Sequence, residues 1–498
     1  MSSLADPDKT FSKNETIKGE SNLLRGTILE GLADESTGAL AEADTQLTKF
    51  HGIYQQDDRD LRKERRQKKL ERAYCFMIRV RAPGGMVTTD QWLAMDALAD
   101  DYANGTLKLT TRQAFQFHGV IKTGLKPTLQ GIDRVLMDTI AACGDVNRNV
   151  MVSPNPYQSA VHAAVQDIGQ AISDHLTPRT DAYREIWLDG EKVEDEAEEG
   201  EPIYGKTYLP RKFKIAMAVP PINDVDVLAH DLGYVANFDG DRLTGFTVTV
   251  GGGMGMTHGN TRTYPRLADP IGSCAPEQAV AVAEAVVKVQ RDFGDRADRK
   301  HARLKYTFED MGRERFLEEL HKRLDFELAD AEPFAFERSG DRYGWVDGTD
   351  GKKHLTLFVQ NGRVYDNGTF KLKTALREIA GTHDGDMRLS PNQNLVIGNV
   401  PPEKQEAIER ILTDHGVPPN GQSGLRLNAM ACVALPTCGL ALAESERYLP
   451  SLVDRLDAIV EDAGIREDEI LIRMTGCPNG CARPYLGEIG LVGKAPGK

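Results

Sequence analysis

Apolar and polar residues alternate along several stretches of the chain, which predicts β-strands that bury one face. In residues 106–118, one face of the predicted strand is apolar and the other carries polar and basic side chains. Residues 277–295 and 449–464 instead repeat apolar residues at helical spacing. Because such helices and strands follow one another along the chain, the predicted fold class is α+β with mixed sheets.

Two further alternating stretches each place a pair of basic side chains on one strand face. Arg79 and Arg81 form the first pair, and Lys212 and Lys214 form the second. A basic strand face is most often only solvated. Here, however, basic residues recur in short segments with apolar flanks: Arg79, Arg81, Lys108, Arg112, Arg148, Arg211, Lys212 and Lys214. In a chain of formal net charge -14, this recurrence indicates a ligand with several negative charges.

An internal repeat links two distant parts of the chain. Residues 108–120 align without gaps with residues 388–400, and each copy follows a helical stretch. The long period excludes a solenoid and predicts a duplicated module. Only the first copy is basic, because Asn392 and Gly398 replace Arg112 and His118.

Composition and charge narrow the class of protein. The 498 residues suffice for about two to four domains, and no apolar run is long enough to span a membrane. The negative net charge argues against general nucleic-acid binding, and the polar N-terminus does not resemble a secretion signal. Seven cysteines, an odd number in a long chain, do not suggest a disulfide framework. A cytoplasmic protein is therefore expected.

Two charged stretches are predicted to lie outside the main cores. Residues 1–70 have few apolar positions and predict an extended, charged N-terminal arm. Residues 188–205 form an acidic run that predicts an exposed insertion.

Four cysteines form two pairs near the end of the chain. Cys432, Cys438, Cys477 and Cys481 follow the pattern C-x5-C-x38-C-x3-C. The first pair is wider than zinc sites usually show, and from spacing alone an iron–sulfur cluster, a zinc ion and unliganded buried thiols all stay open. The remaining cysteines stand singly and are predicted to pack in cores: Cys75, Cys143 and Cys274.

A glycine-rich stretch at 249–260 follows a predicted strand but completes no nucleotide-binding motif. No register of G-x-G-x-x-G is satisfied, and the chain contains no Walker A sequence. If the protein transfers electrons, we therefore do not expect it to bind a nicotinamide cofactor directly.

Many motifs together resemble those of the sulfite and nitrite reductase family. They are most similar to the haemoprotein components, or β-components, of NADPH-dependent assimilatory sulfite reductases, and the resemblance runs from about residue 20 to the end. The motifs that carry it are "ESNLLRGT", "RVRAPGG", "LTTRQAFQFHG", "GDVNRNVM", "YLPRKFK", "HLTLFVQNGRV", "ACVALPTC" and "TGCPNGCARP".

The resemblance implies a duplicated, pseudo-symmetric fold with both cofactors at the junction of its domains. It implies a 4Fe–4S cluster on Cys432, Cys438, Cys477 and Cys481, with Cys481 also the axial ligand of a sirohaem iron. The implied segments are the arm at 1–70, ferredoxin-like halves at 71–150 and 326–402, and sirohaem-type domains at 151–325 and 403–498. Family members usually continue further, so the last domain is expected to be cut short here.

The resemblance also implies an activity and roles for the basic residues. The reaction would be the six-electron reduction of sulfite to sulfide for cysteine biosynthesis, with electrons from a separate NADPH-dependent flavoprotein. Sulfite would be held by Arg79, Arg148, Lys212 and Lys214. The eight carboxylates of sirohaem would be held by Lys108, Arg112, Gln116, His118, Arg211 and Gln393. The alternatives are a ferredoxin-dependent sulfite or nitrite reductase and a non-catalytic protein stabilised by a cluster or zinc.

Overall fold

The structure is a computed structural model that describes residues 10–154, 159–180, 182, 187–188, 191–192, 200–418 and 421–494. Positions 189–190 and 193–199 of the predicted acidic insertion lie outside the described residues. The helices are α1 (Lys13–Glu20), α2 (Ile28–Ala33), α3 (Glu42–Leu47), α4 (Arg62–Gln67), α5 (Thr89–Tyr102), α6 (Leu125–Arg134), α7 (Ala160–His175), α8 (Ala279–Phe293), α9 (Leu304–Met311), α10 (Arg313–His321), α11 (Leu372–Thr382), α12 (Gln405–Asp414), α13 (Gly424–Leu427) and α14 (Leu449–Asp462).

The strands form several separate sheets. They are β1 (Ile53–Asp57), β2 (Tyr74–Val80), β3 (Leu107–Leu109), β4 (Phe115–Val120), β5 (Met151–Val152), β6 (Trp187–Leu188), β7 (Glu191–Lys192), β8 (Ile215–Ala218), β9 (Ile222–Asn223), β10 (Leu232–Asp239), β11 (Arg242–Val250), β12 (Asp269–Cys274), β13 (Arg338–Ser339), β14 (Gly344–Asp347), β15 (Lys353–Leu357), β16 (Arg363–Val364), β17 (Asp366–Asn367), β18 (Phe370–Lys371), β19 (Asp386–Leu389), β20 (Leu395–Val400), β21 (Ala429–Ala431), β22 (Ile472–Thr475) and β23 (Ile489–Val492).

The first repeat forms an antiparallel sheet in the order β1-β2-β4-β3-β16. The prediction of one continuous strand over 106–118 was wrong, because β3 and β4 are the two arms of a hairpin. The chain reverses between them, and Gln113 in the turn has a φ of 50°. Since Lys108 pairs with Gln116 across the hairpin, the polar side chains still share one face.

The second repeat forms the corresponding antiparallel sheet, β14-β15-β20-β19. Its helix α11 and hairpin β19–β20 match α5 and β3–β4, which confirms the duplication predicted from the repeat. The two repeats share one hydrophobic core, to which Leu109 and Phe117 contribute from the first and Leu389 and Ile397 from the second. Neither repeat buries its apolar face without the other.

Two glycines show how closely the repeats pack. Gly85 ends a 3-10 turn of the first repeat, and a Cβ placed there would lie 2.2 Å from the carbonyl oxygen of Leu389. Gly362 ends the equivalent turn of the second, and its Cβ would lie 2.2 Å from the carbonyl oxygen of Leu109. Both glycines also have positive φ. A side chain at either position would therefore clash with the carbonyl oxygen and strain the backbone.

A mixed sheet in the order β12-β11-β10-β8-β5 forms the body between the repeats, with β10, β8 and β5 parallel. Helices α7 and α8 contribute to its core, and α8 confirms the helix predicted at 277–295. Lys212 and Lys214 precede β8 instead of lying within it, so their predicted place on a strand was wrong. The alternation nevertheless continues, because Phe213 and Ile215 point into this core.

The described part of the predicted arm packs against the body of the protein. Leu24, Leu47 and Phe50 are buried in the core of the mixed sheet, and β1 pairs with β2 in the first repeat. Apolar residues of this segment therefore help to hold it in place, together with buried charged residues such as Lys18, which pairs with Glu15 and Asp145.

A small parallel sheet, β21-β22-β23, carries the end of the chain. Helix α14, which was predicted at 449–464, packs on it through Leu449 and Val453.

Candidate active site

The two cysteine pairs leave the small parallel sheet at the same edge. Cys432 directly follows β21, and Cys477 comes two residues after β22. Because β21 and β22 are parallel neighbours, their carboxyl ends lie side by side and bring both loops together. Gly476 donates its backbone N–H to the Sγ of Cys432 at 3.3 Å, which ties the two loops to each other.

Three of the four thiols are held in surroundings that keep them protonated in the absence of a metal. Burial and the charge of Cys481 together raise the pKa of Cys438 to about 12. Burial and Cys481 likewise raise the pKa values of Cys432 and Cys477. Thiols held this close resist ionisation on their own, whereas a bound cationic centre favours the thiolates.

The spacing of these side chains also bears on the kind of metal centre. Among the described residues, no three histidine, cysteine or carboxylate side chains converge on a single metal-ion position. A 4Fe–4S cube does not require such convergence, because each thiolate binds a different iron.

A cleft next to Cys481 is lined by cationic side chains. Its lining residues include Thr111, Arg112, Lys212, Lys214, His230, Arg303, Cys481 and Arg483. Three of these were predicted as ligand-binding residues from the basic pattern and the resemblance: Arg112, Lys212 and Lys214. They come from two separate segments, around residues 112 and 212–214, and the fold brings them to one cleft together with Cys481.

In the part of the chain that the structure describes, no carboxylate pairs with either lysine of the cleft. Within the described residues, neither Lys212 nor Lys214 forms a side-chain hydrogen bond or an ion pair. Burial lowers the pKa of both well below the usual lysine range, and neighbouring cations lower it further. Burial and nearby arginines lower the pKa of Arg112 to about 9, and its buried Nε has no hydrogen-bond partner. A bound anion would relieve this crowding of positive charge.

Arg303, Arg483 and His230 line the cleft but were not predicted. Arg303 donates to Asp231 at 2.8 Å and Arg483 to Asp226 at 2.5 Å, so both guanidinium groups are held in fixed positions. Burial lowers the pKa of His230, and its Nδ1 accepts from Arg112 Nη1 at 3.4 Å. Arg483 lies two residues after Cys481, which was the one sequence signal for this group.

Arg79 and Arg148 lie in an adjoining cluster instead of the lining of the cleft. Arg79 donates from Nη1 to the Sγ of Cys143 at 2.9 Å and from Nε to the side-chain oxygen of Gln116 at 3.0 Å, in the amide orientation that satisfies both groups. Arg148 donates to the carbonyl oxygen of Gly144 at 3.2 and 3.1 Å. Both arginines lower the pKa of Arg112, so the cluster and the cleft form one positively charged region.

The other residues predicted to hold sirohaem do not line the cleft. Lys108 is buried and donates to Glu446 at 2.8 Å, and the Nδ1 of His118 lies 3.4 Å from Arg363 Nη1. Gln393 donates from Nε2 to the carbonyl oxygen of Ala431 at 2.9 Å, next to Cys432. Arg211 is partly buried, and burial with nearby arginines lowers its pKa to about 10. Sirohaem contact by these four residues and by Gln116, which also does not line the cleft, stays a prediction.

The glycine-rich stretch supports the second cysteine pair. Met256 donates its N–H to the carbonyl oxygen of Pro478 at 2.9 Å, and a Cβ on Gly255 would lie 3.0 Å from the carbonyl oxygen of Asn479. The Nζ of Lys305 donates to the carbonyl oxygens of Gly253 and Gly255 at 2.9 and 2.8 Å. The glycines thus permit close packing of the turn between Cys477 and Cys481.

No helix among the described residues is long and apolar enough to span a membrane.

Family models match three parts of the chain. Residues 67–135 and 347–415 each match the nitrite/sulfite reductase ferredoxin-like half domain, and residues 168–328 match the nitrite and sulphite reductase 4Fe-4S domain. The last match favours a cluster over zinc, although its range does not include the four cysteines, whose role as ligands stays a prediction.

Full-length relatives and a solved structure agree with these matches. A protein of Staphylococcus saprophyticus is 60% identical over 97% of this chain and 85% of its own length, and one of Myxococcus xanthus is 59% identical over 98% and 87%. Both are named sulfite reductase (NADPH) hemoprotein beta-component. The structure of NirA of Mycobacterium tuberculosis superposes with a TM-score of 0.77 at 26% identity, covering 96% of this chain and 82% of that one. The predicted α+β, duplicated sulfite/nitrite reductase fold is confirmed, and the chain belongs to the family of NADPH sulfite reductase haemoprotein β-components.

Proposed function

We propose that the protein reduces sulfite to sulfide as the haemoprotein component of an NADPH-dependent sulfite reductase. The reaction would serve cysteine biosynthesis in the cytoplasm. One structural observation carries the proposal: a cleft with two unpaired lysines opens directly onto Cys481. The names of the relatives support sulfite as the substrate and NADPH as the source of electrons.

The residues present fit the cofactors that the family implies. The four cysteine thiols would hold a 4Fe–4S cluster, and Cys481 would also face a sirohaem in the cleft. Arg112, Arg303 and Arg483 would balance the carboxylates of this polyanionic haem. When bound, sirohaem and the cluster supply one at a time the six electrons that take sulfur from +4 to -2.

The two lysines are suited to bind sulfite and to supply protons. Reduction releases the three sulfite oxygens as water, so each oxygen must receive protons at the site. Burial and neighbouring cations lower the pKa values of Lys212 and Lys214, so an ammonium group that a bound anion keeps protonated would give up its proton more readily than an ordinary lysine. Arg79 and Arg148, in the cluster that adjoins the cleft, would help to hold the anion through their guanidinium groups.

The division into an arm at 1–70, ferredoxin-like halves at 71–150 and 326–402, and sirohaem-type domains at 151–325 and 403–498 belongs to the same proposal. The two ferredoxin-like matches support the positions of the halves.

The test is to purify the protein, record its visible spectrum and iron content, and measure sulfide production. We expect a sirohaem spectrum, about five irons per chain and sulfite-dependent sulfide formation with a chemical electron donor. A colourless zinc protein without this activity would overturn the proposal. Rates with a reduced flavoprotein and with reduced ferredoxin, and with sulfite and nitrite as substrates, separate it from a ferredoxin-dependent sulfite or nitrite reductase.

A further inference from the structure

The segment around α4 is strongly basic in an otherwise acidic protein. Residues 61–72 carry seven basic side chains and two acidic ones, whereas the whole chain has a formal net charge of -14. The basic residues are Arg62, Lys63, Arg65, Arg66, Lys68, Lys69 and Arg72. This excess of charge is local and lies on an exposed short helix and the turn after it.

Four of these seven side chains form no ion pair or side-chain hydrogen bond in the part of the chain that the structure describes: Lys63, Arg66, Lys69 and Arg72. Lys63, Arg66 and Lys69 are exposed. By contrast, Arg62 binds Asp57 at 2.5 and 2.7 Å, and Lys68 binds Glu64 at 2.6 Å. The unpaired charges are therefore free to attract an acidic surface.

The basic segment is tied directly to the loop that carries the first cysteine pair. Arg59, three residues before α4, donates from Nη1 to the carbonyl oxygens of Cys438 and Ala441 at 3.2 and 2.7 Å. Asp60 binds Arg447 of the same loop at 2.6 Å. The bonds from Arg59 fix the position of α4 relative to Cys438.

Leu440 places an exposed apolar side chain between the two carbonyl groups that Arg59 holds. The residue is 66% exposed and lies two positions after Cys438 in the chain. An apolar contact surrounded by charges is the usual arrangement of a transient protein interface. Here it lies two residues along the chain from a cysteine that would bind the cluster.

We propose that Lys63, Arg66, Lys69 and Leu440 form a docking surface for an acidic, flavin-bearing electron-carrier domain of the NADPH flavoprotein. This inference rests on the proposed function, which requires electrons to reach the cluster from a separate protein. The unpaired charges would steer the carrier, and Leu440 would anchor it over the loop of Cys438. The chain completes no nicotinamide-binding motif, so the carrier brings electrons that originate on NADPH.

The test compares two sets of charge reversals in the holoenzyme. The first combines Lys63→Glu, Arg66→Glu and Lys69→Glu. The matched control combines Lys126→Glu, Arg242→Glu and Lys300→Glu, which are exposed basic residues on other elements without ion pairs in the described part of the chain. Sulfide production is measured with reduced methyl viologen and with the NADPH flavoprotein, and cluster reduction by the prereduced flavoprotein is followed spectroscopically.

We expect the first set to lower the flavoprotein-driven kcat/KM and the cluster reduction rate at least about tenfold at low ionic strength. The loss should shrink as salt is added, because salt screens exposed charges. Leu440→Ser should lower the same rates without this salt dependence. The viologen-driven rate should stay at the wild-type level in all these variants.

Equal flavoprotein-driven rates in the two charge-reversed sets would overturn the docking surface while leaving the proposed function intact. If the first set of charge reversals lowered the rate with reduced ferredoxin but not with the flavoprotein, the proposal that the partner carries a flavin would be wrong. If the wild-type protein makes no sulfide with methyl viologen, the proposed function itself fails.

Discussion

The Nζ of Lys108 donates to the carboxylate of Glu446 at 2.8 Å, and this buried ion pair joins the first repeat to the loop of the first cysteine pair. Arg363 Nε donates to the same carboxylate at 2.8 Å. Glu446→Gln would leave two buried cations without a counter-charge. We expect it to lower the free energy of unfolding by about 3–5 kcal/mol, measured by urea denaturation.

The matched control for this change is Asp60→Asn. Asp60 and its partner Arg447 are 55% and 45% exposed, so breaking their ion pair should cost no more than about 1 kcal/mol. Equal losses of stability in the two variants would show that the buried ion pair contributes no more to the free energy of unfolding than the exposed one.

The same carboxylate should make stability depend on pH in the acid range. Burial alone would raise the pKa of Glu446, but Lys108 and Arg363 lower it to about 2, against an ordinary 4.5. Since the folded-state pKa is the lower one, its contribution is complete above about pH 4.5 and is lost as the pH falls towards 2. We expect the urea midpoint to drop more between about pH 5 and 3 in the wild type than in Glu446→Gln. Parallel drops in both proteins would contradict this assignment.

Replacement of either cleft lysine should remove most sulfite reduction. Lys212→Met and Lys214→Met each delete an unpaired ammonium group beside Cys481, and loss of a proton donor typically costs about 100-fold or more in rate. The measurement is sulfide production with a chemical donor, on proteins of matched sirohaem content. Lys206→Met, at a nearby exposed lysine, is the control and should keep the wild-type rate. Turnover near the wild-type rate in both cleft variants would show that these lysines are solvated charges without a role in the reaction.

Arg59 should slow the loss of iron from the protein. Its Nη1 donates to two carbonyl groups of the cysteine loop, and Arg59→Met removes both bonds. Hydrogen bonds from a charged group contribute about 1.5–3 kcal/mol, so we expect the loop to open at least about tenfold more often. The measurement is the decay of cluster absorbance in the presence of a chelator. Arg447→Met, which removes only exposed ion pairs, is the comparison, and equal decay rates in the two variants would refute the role of Arg59.

The periodicity of apolar residues predicted helices well, but it predicted turns poorly. The apolar spacing of α8 and α14 was sufficient to predict both helices. The hairpin within 106–118 was missed, because Lys108 and Gln116 are an even number of residues apart and would share a face in one strand as well as across a hairpin. Alternation therefore contained no signal for the reversal at Gln113.

The basic pattern and the resemblance identified Arg112, Lys212, Lys214 and Cys481 of the cleft, and the other charged residues of its lining were missed. Lys212 and Lys214 share the cleft because alternation keeps them on one side of the chain. Arg303 and His230 come from separate segments that only tertiary packing brings to the cleft. The partner of Lys108 lies 338 residues away, so its ion pair with Glu446 could not be read from local pattern.

Gly85 lies against the carbonyl group of Leu389, and Gly362 lies against that of Leu109, so the two repeats exchange the same contact. In a two-fold symmetric dimer, residue i of one subunit touches residue j of the other, and j touches i in return. The single chain thus has the internal geometry of two half-length subunits joined end to end. In such a fused pair only one copy needs to retain ligand-binding chemistry, which accounts for arginine and histidine in the first copy where the second has Asn392 and Gly398.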